Sequence, residues 1–237
     1  MRLQKLLDFA TEFAASLSKR RNRRDTETLF DKEFLDQLVE SVEKLEAVSS
    51  VELVVVASPR SGNYLDIDRQ NGFLASALML LVAIYSPWHF APEMLLLWTV
   101  AAYVIGIMIT PKMSFLRRYF TTPNRRRAQV NFAARNYFFE KRISYTRERT
   151  GLMLYLSHFE KQGVLLADAG IEAKVAGSVF NELEHRWAQC KSVKELEEAV
   201  LKGLGDLRGP LGSALPRAED DVNELPNEVC LVTGGAA

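Results

Sequence analysis

The chain of 237 residues is long enough for one domain and a membrane hairpin, and its 30 basic residues balance its 30 acidic ones. The charges are segregated, with bases near residues 20–24 and after an apolar stretch and acids near the C-terminus, so the net charge does not identify a partner. The two cysteines, Cys190 and Cys230, exclude a disulfide framework and a cysteine-rich metal site, which is typical of a reducing compartment.

Residues 1–24 are predicted to form an amphipathic helix with a basic end. Apolar residues such as Leu3, Leu7 and Phe13 recur at three- and four-residue spacing. Asp8 and Glu12 interrupt this segment, which excludes a typical export signal. The pattern fits two interpretations: a helix lying among lipid headgroups, or a helix packed on the protein's own domain.

Residues 25–70 are predicted to be the first part of a soluble domain. The apolar stripe over 31–48 indicates a helix, capped by Asp31 or Asp25. The β-branched run over 51–57 that follows is typical of an inner strand of a sheet.

Residues 71–111 are predicted to be a transmembrane hairpin. Between Phe73 and Thr110 the only formal charge is Glu93, which separates two apolar runs near the lower length limit for crossing a bilayer. A buried helical hairpin of a soluble protein is the alternative. The runs lack the polar face that such helices keep, and this favours the membrane.

The charges around the hairpin predict its orientation. The turn from Ser86 to Glu93 carries no Lys or Arg, whereas bases follow the second span, so both long flanks and both termini are expected on the cytoplasmic side of a bacterial inner membrane.

Basic and aromatic residues alternate from Phe115 to Phe139. Such a segment can bind nucleic acid, but the position of the segment beside a membrane span favours anionic lipid as its partner. No nucleic-acid partner is predicted.

Residues 112–217 are predicted to be the second part of the domain, and residues 218–237 an acidic tail. The pattern indicates a helix over 125–143, an antiparallel pair of strands over 151–157 and 163–168, and helices over 175–188 and 193–207. The expected fold is therefore α/β: a small mixed β-sheet sandwiched by helices and interrupted by the two-helix transmembrane hairpin.

Several segments together resemble a known family. They are residues 46–56, the stretch Thr146 to Ser157, Glu160, residues 166–171, and the tail residues 223–227. In this order they resemble the TPM domain, and more narrowly its bacterial membrane branch, in which two spans interrupt the domain after its first strand. The resemblance implies a TPM-like sandwich, membrane association and a role in the upkeep or regulation of membrane complexes. It also implies phosphatase activity, as in some members, or divalent-cation binding, as in others.

The residues that match the family's motif are Glu52 and Asp168, which are the candidate ligands of a Ca²⁺ or Mg²⁺ ion. Asp168 ends a strand and is followed by Gly170, where a carboxylate and backbone oxygens suit a hard cation. The alternative is structural. Asp168 then caps the following helix, and Glu52 pairs with a neighbouring base.

Catalytic patterns are weak in this sequence. The three histidines lie in unrelated segments, and neither a phosphate-cradling Gly loop nor a Gly-x-Ser-x-Gly elbow occurs. The chain is therefore predicted to be a non-catalytic module that binds a membrane or cytoplasmic protein, or helps to maintain a membrane complex, with a cation as a possible ligand. A weak metal-dependent phosphatase is the competing prediction.

Overall fold

The computed structural model describes residues 30–87, 91–217, 225 and 229–232. The amphipathic helix predicted over 1–24 lies outside the described residues. Three residues of the predicted outer turn, 88–90, and most of the predicted acidic tail over 218–237 also lie outside them.

The described residues form a mixed α/β fold with a small four-stranded mixed sheet. The strands are β1 (Glu52–Ser58), β2 (Gly151–Ser157), β3 (Gln162–Ala167) and β4 (Cys230–Leu231). The α-helices are α1 (Lys32–Glu46), α2 (Leu65–Tyr85), α3 (Pro92–Ile109), α4 (Ser114–Tyr119), α5 (Pro123–Glu140), α6 (Ala169–Glu172), α7 (Gly177–Ala188) and α8 (Val193–Ala214). Short 3₁₀ helices occur at Thr110–Lys112 and Ile143–Tyr145.

The strand order is β3-β2-β1-β4. β1 and β2 are parallel, with Glu52 opposite Gly151 and Ser58 opposite Ser157, which confirms the prediction that these strands share one sheet despite the intervening hairpin. β2 and β3 are antiparallel, as predicted from their short connection. β4 pairs in parallel with the other edge of β1, within the segment that the sequence assigned to the acidic tail.

Alternate residues of β1 contribute to two different hydrophobic clusters. Leu53 and Val55 belong to the cluster that includes residues of α1, α7 and α8. Val54 and Val56 belong to the cluster that includes residues of α5. Side chains alternate between the faces of a strand, so both faces of β1 are covered, which accounts for its continuous apolar sequence.

Two of the long helices, α1 and α8, begin at side-chain caps, and α8 extends beyond its predicted end. Asp31 accepts a hydrogen bond from the backbone N–H of Glu33 at 3.2 Å and caps α1, as predicted. Ser192 accepts from the backbone N–H of Glu195 and caps α8. The predicted end of α8 at Leu207 is wrong, because the helix continues through Pro210 to Ala214.

Residues Asn63–Arg126 form one compact unit, here called the hairpin unit. The described residues up to Gly62 and from Arg127 onward form the other, here called the α/β unit. In the hairpin unit, α2 begins at Leu65, upstream of the apolar run predicted from Phe73. α2 and α3 approach closely at two glycines: a Cβ added to Gly106 would lie 2.8 Å from the Cα of Gly72.

Candidate functional site

The two predicted metal ligands lie at the end of the sheet where β1 and β2 begin. Glu52 is opposite Gly151 in the parallel register. The backbone N–H of Asp168 donates to the carbonyl oxygen of Gly151 at 2.9 Å. The fold therefore brings the backbones of both residues to the two sides of Gly151, although they are far apart in sequence.

The side chain of Asp168 caps a helix and keeps one oxygen without a partner. Its Oδ1 accepts a hydrogen bond from the N–H of Ala169 at 2.8 Å, at the start of α6, which confirms the predicted cap. The residue is only 8 % exposed, and its Oδ2 has no hydrogen-bond partner. A buried carboxylate oxygen is costly without a donor or a cation beside it, so Oδ2 is the atom at this end that suits a ligand.

Glu52 has a backbone partner of its own. Its Oε2 accepts a hydrogen bond from the N–H of Leu225 at 3.3 Å, and the residue is 7 % exposed. Glu52 thereby connects the start of β1 to the C-terminal segment. Within the described part of the chain, no group of three or more His, Cys, Asp or Glu side chains is arranged to hold a metal ion.

Backbone oxygens crowd the first turn of α6. A Cβ added to Gly170 would lie 2.4 Å from the carbonyl oxygen of Glu148 and 2.6 Å from that of Arg149, so only glycine fits there. The hydroxyl of Thr146, which precedes these two residues, is also buried without a partner. Hard cations take such carboxylate, carbonyl and hydroxyl oxygens. The Arg149 carbonyl already accepts a hydrogen bond from the N–H of Gly170 at 3.0 Å, and the binding of a Ca²⁺ or Mg²⁺ ion by Asp168 and Glu52 stays a prediction.

A buried polar cluster, here called the Glu160 cluster, lies at the opposite end of the same strands and consists of Ser61, Tyr155, Ser157 and Glu160. The hydroxyl of Ser61 donates to Ser157 Oγ at 2.8 Å and lies 3.1 Å from the hydroxyl of Tyr155. Ser157 donates in turn to Glu160 Oε2. All four residues are at most 2 % exposed.

Glu160 uses its carboxylate to hold the loop that follows β1. It accepts hydrogen bonds from the backbone N–H groups of Ser61 at 3.2 Å and of Gly62 at 3.1 Å. Burial raises the pKa of the Tyr155 phenol, and burial raises that of the stacked Tyr137 to about 12, so both rings stay neutral at physiological pH. The Glu160 cluster is therefore a positioning network, and its hydroxyl groups are engaged with one another.

In the sequence, Glu160 belongs only to the family pattern, and no local pattern predicts the Glu160 cluster. Ser61 and Glu160 are 99 residues apart, and neither stands out by its neighbours. The signal that could have indicated the cluster is the position of these residues after the carboxyl ends of two parallel strands. Ligands and polar clusters concentrate at the carboxyl ends of parallel strands, and Ser58 and Ser157 end two such strands.

Two bases expected to contact anionic lipid instead form ion pairs within the hairpin unit. Arg117 is 7 % exposed, and its guanidinium binds both carboxylate oxygens of Asp68. Arg125 binds both oxygens of Asp66, at 2.6 and 2.8 Å, in a more exposed position. The buried Arg117 guanidinium is neutralised by Asp68, and the binding of anionic lipid by the basic flanks of the hairpin stays a prediction.

Comparison with protein-family models and with curated protein sequences gives no match. Among solved structures, the chain is similar to the BA42 protein of the psychrophilic bacterium Bizionia argentinensis sp. nov., determined by NMR. The TM-score is 0.50 and the sequence identity 14 %, and the match covers 86 % of this chain and 95 % of that chain. At this identity the likeness concerns the fold alone.

Proposed function

We propose that this protein is an integral, multi-pass protein of a bacterial inner membrane, anchored by α2 and α3. Its α/β unit is then a TPM-like sandwich in the cytoplasm that binds a protein partner or maintains a membrane complex without catalysing a reaction. The observation that carries the proposal is the apolar surface of the hairpin unit.

That surface is too large and too continuous for water. The segments Leu65–Tyr85 and Pro92–Lys112 are each 21 residues long, and only 22 % and 6 % of their most apolar windows are buried. Large side chains such as Leu78, Ile84 and Leu96 are each more than 60 % exposed. A helix of this length spans about 30 Å, the thickness of the hydrocarbon core. Lipid is the solvent that suits such a surface.

The sandwich and the TPM likeness are supported by how the α/β unit is divided in sequence. β1 precedes the hairpin and β2 follows it, and the two are parallel neighbours throughout their length. The two hydrophobic clusters on alternate residues of β1 support helical layers on both faces. This is the arrangement expected if two spans are inserted after the first strand of a TPM domain.

The orientation follows from the charge distribution. The described connection between α2 and α3 carries no Lys or Arg, whereas Lys112 and Arg118 follow α3 closely. By the positive-inside rule, the α/β unit and both termini lie in the cytoplasm. Partner binding therefore takes place on the inner side of the membrane.

The non-catalytic role is supported by the chemistry at both ends of the sheet. Asp168 caps α6 and offers one unpartnered oxygen, which suits a cation that steadies the loop rather than one that activates a water molecule. At the other end, the Ser61 and Ser157 hydroxyls are buried and bonded to each other. The protein's activity is then binding, with a Ca²⁺ or Mg²⁺ ion as a structural ligand.

The test is purification of the tagged full-length chain from bacterial membranes in mild detergent. We expect the chain to remain in the membrane after an alkaline carbonate wash and to elute with a reproducible protein partner. Release by carbonate would contradict the anchor. Elution without a partner after chemical cross-linking would contradict the binding role.

The same preparation tests the competing phosphatase. We expect no Mg²⁺-dependent hydrolysis of p-nitrophenyl phosphate above that of a mock preparation. Hydrolysis that is lost in Asp168→Asn but kept in Asp206→Asn, an exposed carboxylate on α8, would replace the binding module with the enzyme.

A further inference from the structure

We propose that the outer face of α5 and of the 3₁₀ helix after it is a docking surface for anionic lipid headgroups, holding the α/β unit against the membrane that anchors it. The surface, here called the α5 stripe, consists of Phe132, Arg135, Phe139, Arg142 and Tyr145. The inference deepens the proposed function and rests on its membrane anchor.

The α5 stripe concentrates the exposed aromatic side chains of the α/β unit. Among its described residues, the large hydrophobic side chains that are exposed are Phe132, Phe139, Tyr145 and Val48. The exposed fractions of Phe132, Phe139 and Tyr145 are 62 %, 71 % and 78 %. Three of these four residues lie on α5 or in the 3₁₀ helix that follows it, and such a concentration of exposed apolar surface is typical of a binding face.

Helical geometry places the two phenylalanines opposite the core. The buried residues of α5 are Val130, Ala133, Ala134 and Phe138. Phe132 and Phe139 are seven residues apart, about two turns, so they lie on one line along the helix, on the side away from those buried residues. The Phe139 ring makes one edge-to-face contact with the core residue Phe138, at 5.9 Å between ring centroids, yet most of the surface of both Phe132 and Phe139 stays exposed.

At the C-terminal end of the stripe, a turn places the guanidinium of Arg142 over the ring of Tyr145. Arg142 has φ of 54°, the left-handed conformation, immediately before the 3₁₀ helix. Its guanidinium lies 5.8 Å from the ring centroid of Tyr145. A cation held over an exposed ring presents a charge and an amphipathic side chain together, as at membrane interfaces.

The charge around the stripe is positive. Between residues 132 and 149 the exposed charged residues are five bases and two acids: Arg135, Lys141, Arg142, Arg147 and Arg149 against Glu140 and Glu148. An anionic leaflet complements both the bases and the aromatic rings. The N-terminal segment 1–24 is a poorer occupant, because its seven bases and two acids give it the same sign of charge.

The test uses the full-length chain, with Cys190→Ser and Cys230→Ser, reconstituted in vesicles. A polarity-sensitive fluorophore is attached at Asn136→Cys, beside the stripe, or at Lys202→Cys on α8 as the control. The vesicles contain phosphatidylcholine with or without phosphatidylglycerol. We expect a blue shift and quenching by headgroup-level spin-labelled lipid at position 136 only with phosphatidylglycerol, and neither at position 202.

Charge and ring variants identify the contact. Arg135→Gln with Arg142→Gln should lower the ratio of docked to free units about fivefold for each charge removed. Phe132→Ser with Phe139→Ser should abolish the quenching, and Lys174→Gln with Lys202→Gln, exposed bases away from the stripe, should leave it unchanged.

Three results would overturn the proposal while the anchor stands, since reconstitution itself reports the anchor. One is an absence of quenching at position 136 in anionic vesicles. Another is an equal blue shift without phosphatidylglycerol, which would mean that a segment of the chain, such as residues 1–24 or the acidic tail, covers the stripe. The third is quenching that survives the charge and ring variants.

Discussion

The hairpin unit contains two Asp–Arg pairs of the same chemistry in different environments. The side chains of Asp68 and Arg117 are 2 % and 8 % exposed, whereas those of Asp66 and Arg125 are 58 % and 34 % exposed. Removing one partner of a buried pair leaves an uncompensated charge, whereas an exposed pair contributes little. The buried pair should therefore contribute more than the exposed pair to the stability of the hairpin unit.

We predict that Asp68→Asn lowers the stability of the hairpin unit by about 3 kcal/mol, and Asp66→Asn by less than about 1 kcal/mol. The measurement is the thermal unfolding of the full-length chain in mild detergent. Equal effects of the two variants would show that burial does not set the strength of these pairs.

Glu184 on α7 is a second residue whose environment matters, because burial shifts its pKa. Its Oε1 accepts a hydrogen bond from the N–H of Leu165 on β3 at 2.9 Å. Burial raises its pKa above the ordinary value of 4.5, against the lowering effects of that hydrogen bond and of Arg127. Its contribution to stability is therefore complete below pH 4.5 and is lost as the pH rises through the raised pKa.

We predict that Glu184→Gln removes this loss, because the neutral amide keeps an oxygen for Leu165 and never ionises. The variant should show a smaller fall in melting temperature than the wild type from pH 4.5 to neutral pH. Glu182→Gln, an exposed change on the same helix, should keep the wild-type slope. An unchanged slope in Glu184→Gln would contradict the assignment.

Asp168 combines a helix cap with the proposed ion contact, and the substitution Asp168→Asn separates the two roles. We predict that millimolar Ca²⁺ raises the melting temperature of the wild type only slightly, corresponding to about 0.4 kcal/mol when the ion concentration equals Kd. Asp168→Asn should keep the cap and lose the Ca²⁺ effect. A Ca²⁺ effect that survives this change would place the ion elsewhere.

At the scale of elements, α2 and α3 show how small residues allow close packing. A Cβ at Gly106 would meet the Cα of Gly72 at 2.8 Å and the Cβ of Ala75 at 3.1 Å. Small residues at such crossings are typical of helix pairs in membranes. On α8, by contrast, a Cβ at Gly205 would meet nothing within 4 Å.

We predict opposite effects of the same substitution at these two glycines. Gly106→Ala should destabilise the hairpin unit by about 1–3 kcal/mol, because the helices must separate. Gly205→Ala should stabilise the α/β unit by about 0.5–1 kcal/mol through helix propensity. Unfolding of each variant in detergent measures both effects, and a stabilising Gly106→Ala would contradict the close crossing.

The elements that the sequence predicted well are those with strong local patterns. β1 and β2 are apolar runs, and α1 has a capping Asp31 and one apolar stripe. The start of α2 was missed because its charged first turns are compensated by Arg117, 49 residues downstream, which no local pattern shows. β4 was missed because two residues form it, and only their register with Val56 and Ala57 defines it.

The candidate site was predictable only in part. Asp168 could be identified as a cap because a strand end and a helix start flank it. The Glu160 cluster could not, because Ser61 meets Ser157 and Glu160 only once β1 and β2 are paired across the hairpin. Local patterns predict elements, whereas the contacts that define a site depend on topology.

At the scale of the whole molecule, an apolar hairpin divides the sequence of a single small sheet. β1 ends at Ser58 and its parallel neighbour β2 begins at Gly151, with the hairpin unit between them in sequence. If α2 and α3 cross the bilayer, the two halves of the α/β unit must emerge on the same side to pair. The sheet therefore requires an even number of crossings between β1 and β2, which the two helices supply.

The most direct test of this account is cysteine labelling of the full-length chain in spheroplasts, with Cys190 and Cys230 replaced by serine. We predict that a membrane-impermeant maleimide labels Ala91→Cys, in the connection between α2 and α3, in intact spheroplasts. Gly209→Cys, exposed on α8, should be labelled only after the membrane is permeabilised. Labelling of Gly209→Cys in intact spheroplasts, or protection of Ala91→Cys until permeabilisation, would contradict the proposed membrane topology.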